Sequence, residues 1–150
     1  MNATPDRAAV RKLQEDLSTE ARFTAHPLDI EAACRKYTEE GYEVTPQLVE
    51  FLENYGELTV TWQFRNADVE LSTTVESALD MPFRNVRICA KRIGRPVLPV
   101  GSAFVTEEGV LLAENGDIFL AGDAGIQRVD NGFENAVRAL IASDWDKTFF

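Results

Sequence analysis

Apolar positions along this chain recur first at spacings of three and four, then at two, and finally at three and four again. Ala9, Val10, Leu13 and Leu17 predict a first helix over 6–17, with Pro5 suited to its start. A polar break over 18–26 follows. Leu28, Ile30, Ala33, Cys34 and Tyr37 give a second helix over 27–40 a broad apolar face, and Gly41 stands just past its end as a stop. The third helix has the clearest start. Thr45 can cap it, Pro46 fits the first helical position, Leu48, Phe51, Leu52 and Tyr55 line one side, and Gly56 ends it.

The period then changes. In LTVTWQF, Leu58, Val60, Trp62 and Phe64 share one face and Thr59, Thr61 and Gln63 the other, which is a strand pattern. After a turn at 65–67, Val69, Leu71 and Thr73 continue the alternation. The stretch 95–120 reads as two consecutive hairpins. Pro96 and Pro99 lack a donor and suit the start or edge of a strand, and Gly101 fits a bulge leading into a strand over 103–106. Glu107-Glu108-Gly109 reads as a turn, 110–114 as a buried strand, Asn115-Gly116 as a type I′ turn, and 117–120 as the returning strand. A loop over 122–125 precedes a short strand at 126–129.

Asn131-Gly132-Phe133-Glu134 matches a capping box with Asn131 as N-cap, and Phe133, Ala136, Val137, Leu140 and Ile141 then fall on one helical face. The remaining segment, 143–150, carries Trp145, Phe149 and Phe150, which either fold back or stay exposed. Helices first, then strands, then a helix predict an α+β fold. N-terminal helices pack on a mostly antiparallel sheet with a C-terminal helix, in a single domain spanning 1–150.

The stretch 74–97 is less regular. Residues 77–81 suit a helical turn that Pro82 ends, and Arg84, Arg87, Lys91, Arg92 and Arg95 follow without an acid among them. Their plainest role is a solvated helix or edge-strand face, because no aromatic residues interleave them as single-strand nucleic-acid binding requires. The net charge is −10, and it is unevenly spread. Residues 1–64 hold 12 acids and 6 bases, 65–103 hold 4 and 6, and 104–150 hold 9 and 3. Such a surface repels phosphate backbones and attracts a basic protein, though an acidic surface also serves solubility alone. Charged residues interrupt the stretch after Met1 and no long apolar run occurs, so a soluble cytoplasmic protein without a membrane partner is the expectation.

Candidate chemistry is sparse. The single histidine, His26, precedes Pro27 in a polar stretch, so a Ser-His-Asp or Cys-His arrangement would rest wholly on it. Cys34 and Cys89 lie far apart without metal-ligand spacing and read as free, buried thiols. Neither GxxxxGKS/T nor GxGxxG occurs, and the pairs Glu39-Glu40 and Glu107-Glu108 point their side chains apart on regular elements. No catalytic residue, cofactor or metal is therefore expected. An enzyme would require carboxylates that converge in a pocket.

The segment VLPVGSAFVTEEGVLLAENGDIFL, with the later helix GFENAVRALIAS, resembles the C-terminal half of the SUKH superfamily of bacterial immunity proteins, and its third subfamily most. The resemblance rests on Pro99, Val100 and Gly101, on Asn115, Gly116, Ile118 and Phe119, and on Phe133, Ala136 and Leu140. Upstream, FLENYGELTV is similar to the family's Phe-Leu then Tyr-Gly-Gly-Leu motif, with Glu57 in place of the second glycine. It covers roughly 41–143. The family's Trp-with-Pro-Gly-Arg element near the N-terminus is not recognisable, leaving Arg22 as its only counterpart.

The resemblance implies a non-catalytic protein of a polymorphic toxin system, binding and neutralising a cognate toxin domain, often a nuclease, inside the producing cell. A nuclease needs a basic cleft that an acidic surface would plug. Glu107, Glu108, Glu114, Asp117 and Asp123, around the hairpin turns, are the expected partner-binding residues, with solvated loop charges as the plainer account. Some superfamily relatives act instead in cell-wall regulation and signalling, so a regulatory or scaffold protein without a toxin is the alternative.

Overall fold

Val10 and Leu13, the first apolar stripe, are buried on α1 (Ala8–Asp16) in the computed structural model, which describes residues 7–150. The predicted helix start at Pro5 and Asp6 lies outside the described residues. The expected polar break is interrupted by a strand, β1 (Ala21–Ala25), of which only Phe23 is fully buried. α2 (Ile30–Glu39) begins later than predicted, because Asp29 Oδ1 accepts the Ala32 N–H at 3.0 Å and caps it there. Gly41, just beyond, has φ +99°, which favours glycine. α3 (Pro46–Tyr55) has the predicted start: Thr45 Oγ1 accepts the Leu48 N–H at 3.1 Å, and Pro46 fills the first position.

β2 (Leu58–Phe64) buries Leu58, Val60 and Trp62 as the alternation predicts. It turns through Arg65 and Asn66, both at positive φ, into β3 (Ala67–Ser72). The irregular stretch holds two helices, α4 (Val75–Ala78) and α5 (Phe83–Ile93). The basic run therefore sits on a helix, with Arg84, Arg87, Lys91 and Arg92 exposed and Val86 and Cys89 buried.

β4 (Val97–Ala103), β5 (Glu108–Ala113), β6 (Asp117–Gly122), β7 (Gly125–Asn131) and α6 (Phe133–Ala142) complete the chain. Strand order equals chain order from β1 to β7, and every neighbouring pair is antiparallel.

Three expectations are corrected here, besides the type I′ turn at Asn115-Gly116, where Gly116 alone of the two has positive φ and its N–H donates to the Ala113 carbonyl, closing a three-residue loop instead. Pro99 lies within a central strand and not at an edge, paired opposite Leu111. The Glu114 N–H donates to the Pro96 carbonyl, so by alternation the donor that Pro99 lacks would point away from β5, where β3 does not reach. The Pro99 carbonyl points the same way and accepts the Tyr37 hydroxyl at 2.7 Å, in full burial. Burial pushes the Tyr37 phenol well above its ordinary range. The register shift between Pro99 and Gly101 is the bulge that the glycine predicts.

The second correction concerns the turn after β4, which is Phe104–Glu107. Phe104 and Glu107 both have positive φ, and Glu108 and Gly109 already belong to β5. Third, Asn131 is the last residue of β7, and Gly132, at φ +86°, is the N-cap of α6 without a side-chain bond. The Asn131 amide instead donates to the Asn115 carbonyl and to Asp117 Oδ1, both at 3.0 Å. Glu134 pairs with Arg138 and Lys12 rather than reaching back, which holds its carboxyl below the usual range. The core face of α6 is as predicted, with Phe133, Ala136, Val137 and Leu140 buried.

The segment 143–150 folds back. Trp145 Nε1 donates to Gln127 Oε1 at 3.1 Å, Gln127 Nε2 donates to the Lys147 carbonyl at 2.7 Å, and the Phe150 N–H donates to the Ile126 carbonyl at 2.9 Å. Phe150 meets Phe119 edge-on, with ring centroids 5.5 Å apart. Phe119 pairs with Arg128 and Leu120 with Gln127, so Phe119 and Gln127 face opposite sides of the sheet. A segment touching both passes around the outer edge of β7 and covers groups that another strand would otherwise pair with.

Candidate partner-binding surface

Successive turns of an antiparallel meander lie at alternate ends of the sheet, and this divides the five acids expected to act together. Glu107 and Glu108 stand at the β4–β5 turn, and Asp123 stands in the β6–β7 turn at the same end. The two turns touch: a Cβ on Gly122 would lie 3.0 Å from Glu108 Cγ. Glu114 and Asp117 flank the β5–β6 turn at the other end, about 20 Å away along β5. The five are therefore not one cluster.

Asp117 also has structural work. Its carboxylate accepts from Arg128 at 3.0 Å, from the Asn131 amide at 3.0 Å and from the Asn115 amide at 3.2 Å. The Arg128 hydrogen bond is the main cause that holds its pKa at about 2, against partial burial that opposes ionisation. A carboxyl depressed on folding contributes stability above its ordinary value of 3.8 and loses that contribution as pH falls through about 2. Asp117→Asn is expected to cost about 1–2 kcal/mol at pH 7. Urea unfolding of both proteins should show the gap narrowing below about pH 4 and closing as pH falls through 2. A gap independent of pH would assign the loss to something other than ionisation.

The end bearing Glu107, Glu108 and Asp123 carries a groove of about 780 Å³. Its walls come from distant parts of the sequence. The α4–α5 link and α5 supply Asp80, Met81, Ile88, Cys89 and Arg92; β5 and β6 supply the floor at Gly109 and Ala121; Ile126 and Phe149 close the far side. Gly109 has a packing reason. A Cβ there would sit 2.9 Å from Met81 Sδ, so the glycine lets Met81 lie against the strand. Arg92 Nη2 donates to the Phe150 carbonyl at 2.9 Å, tying α5 to the folded-back segment across the groove.

The groups weighed as reactive have structural surroundings. His26 Nε2 bonds Thr59 Oγ1 at 2.8 Å, and the His26 N–H donates to the Glu57 carbonyl. Cys34 and Cys89 are free thiols, Cys89 buried as expected and Cys34 only half-buried, and each is pushed up in pKa chiefly by the burial it has, which disfavours the thiolate a nucleophile needs. Among the described residues, no group of three His, Cys, Asp or Glu side chains is placed to hold a metal ion, and no helix is long and apolar enough to cross a membrane. Arg84, Arg87 and Lys91 form the solvated helix face that the sequence suggested.

The sequence profile described as SUKH-3 immunity protein matches residues 15–143. The chain belongs to the SUKH-3 immunity protein family. No curated protein and no solved structure matches it. The SUKH-3 match starts well upstream of the resemblance at 41–143, so β1, α2 and most of the N-terminal helical layer are part of the family's domain. The SUKH-3 region stops at Ser143, where the segment that wraps β7 begins. Members of this family are non-catalytic immunity proteins, and membership implies neutralisation of a toxin protein by binding it.

Proposed function

We propose that this SUKH-3 protein protects the cytoplasm of the producing cell by docking an acidic end of its sheet on a basic face of the cognate toxin domain. A nuclease is the toxin class that fits best, because its phosphate substrate demands such a face. The observation that carries this reading is the convergence of Glu107, Glu108 and Asp123 from two separate turns onto one end of a chain with net charge −10. Like charges brought together in this way raise the local potential, which accelerates the approach of a basic partner and discourages an acidic one. Glu114 and Asp117, at the other end, are left out of this surface.

Co-expression with candidate toxin domains, sought first among genes neighbouring this one, tests the reading through growth rescue and co-purification. The triple variant Glu107→Lys, Glu108→Lys, Asp123→Lys should slow association by roughly tenfold or more at low salt and flatten its salt dependence. Glu114→Lys should leave both unchanged. Wild-type kinetics in the triple variant would remove these three residues from the interface.

A further inference from the structure

We propose that the groove beside these acids is the anchor of the same interface, and that it receives an apolar side chain of the toxin flanked by lysine or arginine. The inference rests on the immunity reading above and names what the toxin must present. Its first support is the distribution of exposed apolar surface. Among the described residues the large hydrophobics left exposed are Ile88 at 53%, Val105 at 82%, Phe149 at 48% and Phe150 at 49%. They come from α5, the β4–β5 turn and the folded-back segment, far apart in sequence, and two of the four, from α5 and from the folded-back segment, face each other across this groove. Ile88 and Phe149 line it, Val105 sits in the turn that supplies Glu107, and Phe150 follows Phe149. Exposed apolar groups scattered singly need no explanation, but a pair facing across one depression marks a contact surface.

The second support is charge. Asp80 joins Glu107, Glu108 and Asp123 on the rim, so three different connections each place a carboxylate there. Arg92 is the one base among the lining residues, and its guanidinium is engaged by the Phe150 carbonyl. An apolar floor inside an acidic rim repels anionic lipid and nucleic acid and accepts an apolar residue with basic neighbours. On the outer side of α5, Arg84, Arg87 and Lys91 repel that same basic segment, so the two faces of one helix direct it into the groove. The volume accommodates several side chains from a helix or loop, matching the buried anchor and polar rim of tight protein interfaces.

The test measures association and dissociation between the full chain and the catalytically inactivated form of the toxin domain that the co-expression experiment identifies. Ile88→Ser and Phe149→Ser remove the apolar walls without altering charge, and because both side chains are half exposed the fold should survive, as thermal unfolding would verify. Each should raise Kd roughly tenfold or more, through faster dissociation. The triple lysine variant should act through slower association instead. Hydrogen exchange in the complex should protect 81–92, 106–109 and 122–127. If the wild-type chain binds and both serine variants dissociate at its rate, or protection falls elsewhere, the groove assignment is overturned while the immunity reading stands. If the wild-type chain neither binds nor rescues growth, the immunity reading itself fails. A free chain that dimerises through Ile88 in sedimentation gives the groove to a second copy and also overturns the assignment.

Discussion

Gly101→Ala is expected to lower folding stability by about 3 kcal/mol or more, the upper range for forcing atoms into a packed site. The reason is steric. A Cβ at Gly101 would fall well inside contact distance of the Ser72 carbonyl oxygen, which is backbone and cannot rotate away. β3 and β4 pair Leu71 with Ala103 and Ser72 with Ser102, extended by the Phe104 N–H donating to the Glu70 carbonyl at 2.8 Å, so this short seam joins the first three strands to the last four. Pushing Ser72 outward opens the seam and loosens the packing of Leu71, which is fully buried. The glycine of the Pro-Val-Gly step thus serves the close approach of two strands beside a bulge. Urea unfolding would show a lower midpoint with an unchanged slope. A loss below about 1 kcal/mol would mean that β3 yields without cost, contrary to this account.

Phe133→Ala should cost about 3–5 kcal/mol, the usual range for emptying a buried aromatic site. Phe133 opens α6 and its ring stands edge-on to Phe51 at 5.1 Å and tilted against Tyr55 at 4.7 Å. It is therefore the contact through which the last helix meets α3, and aromatic pairing adds to the area that it buries. The α6 face continues through Ala136, Val137 and Leu140, all buried, so the helix should persist while its first turn loosens. Phe133→Leu, nearer in volume, should lose less than half as much in the same denaturation measurement. Equal losses would indicate that ring geometry, and not volume, decides the site.

The sequence made legible whatever its local pattern encodes alone. β2 and the start of α3 are at their predicted positions because alternation and a Thr-Pro cap are complete signals within a few residues. β1 was hidden because ARFTA is short and buries Phe23 alone, while Arg22 and Thr24 face solvent; its strand character comes from pairing with β2. The stretch that forms α5 reads from its charges as either a helix or an edge-strand face, although Val86, Cys89 and Ile93 fall at helical spacing. The β4–β5 turn lies earlier than its sequence predicts because Phe104 and Glu107 adopt positive φ without being Gly or Asn, a conformation that residue identity does not announce. Asn131 has the right neighbours for a capping box, but a turn 16 residues earlier claims its amide. The acids illustrate the same limit. Their identities were plain, but which of them share an end of the sheet depends on strand direction, and the groove that three of them border draws on α5 and Phe149 as well.

Strand order that repeats chain order has a consequence for timing. No strand must wait for one that arrives later to be inserted between its neighbours, so the sheet can grow by addition at one margin as the polypeptide leaves the ribosome. Mostly neighbour-to-neighbour ladders also keep loop-closure entropy small, and quick maturation follows. On the function proposed above, in which antidote and poison share a cell, the interval between synthesis and readiness is the period of danger, and this topology shortens it.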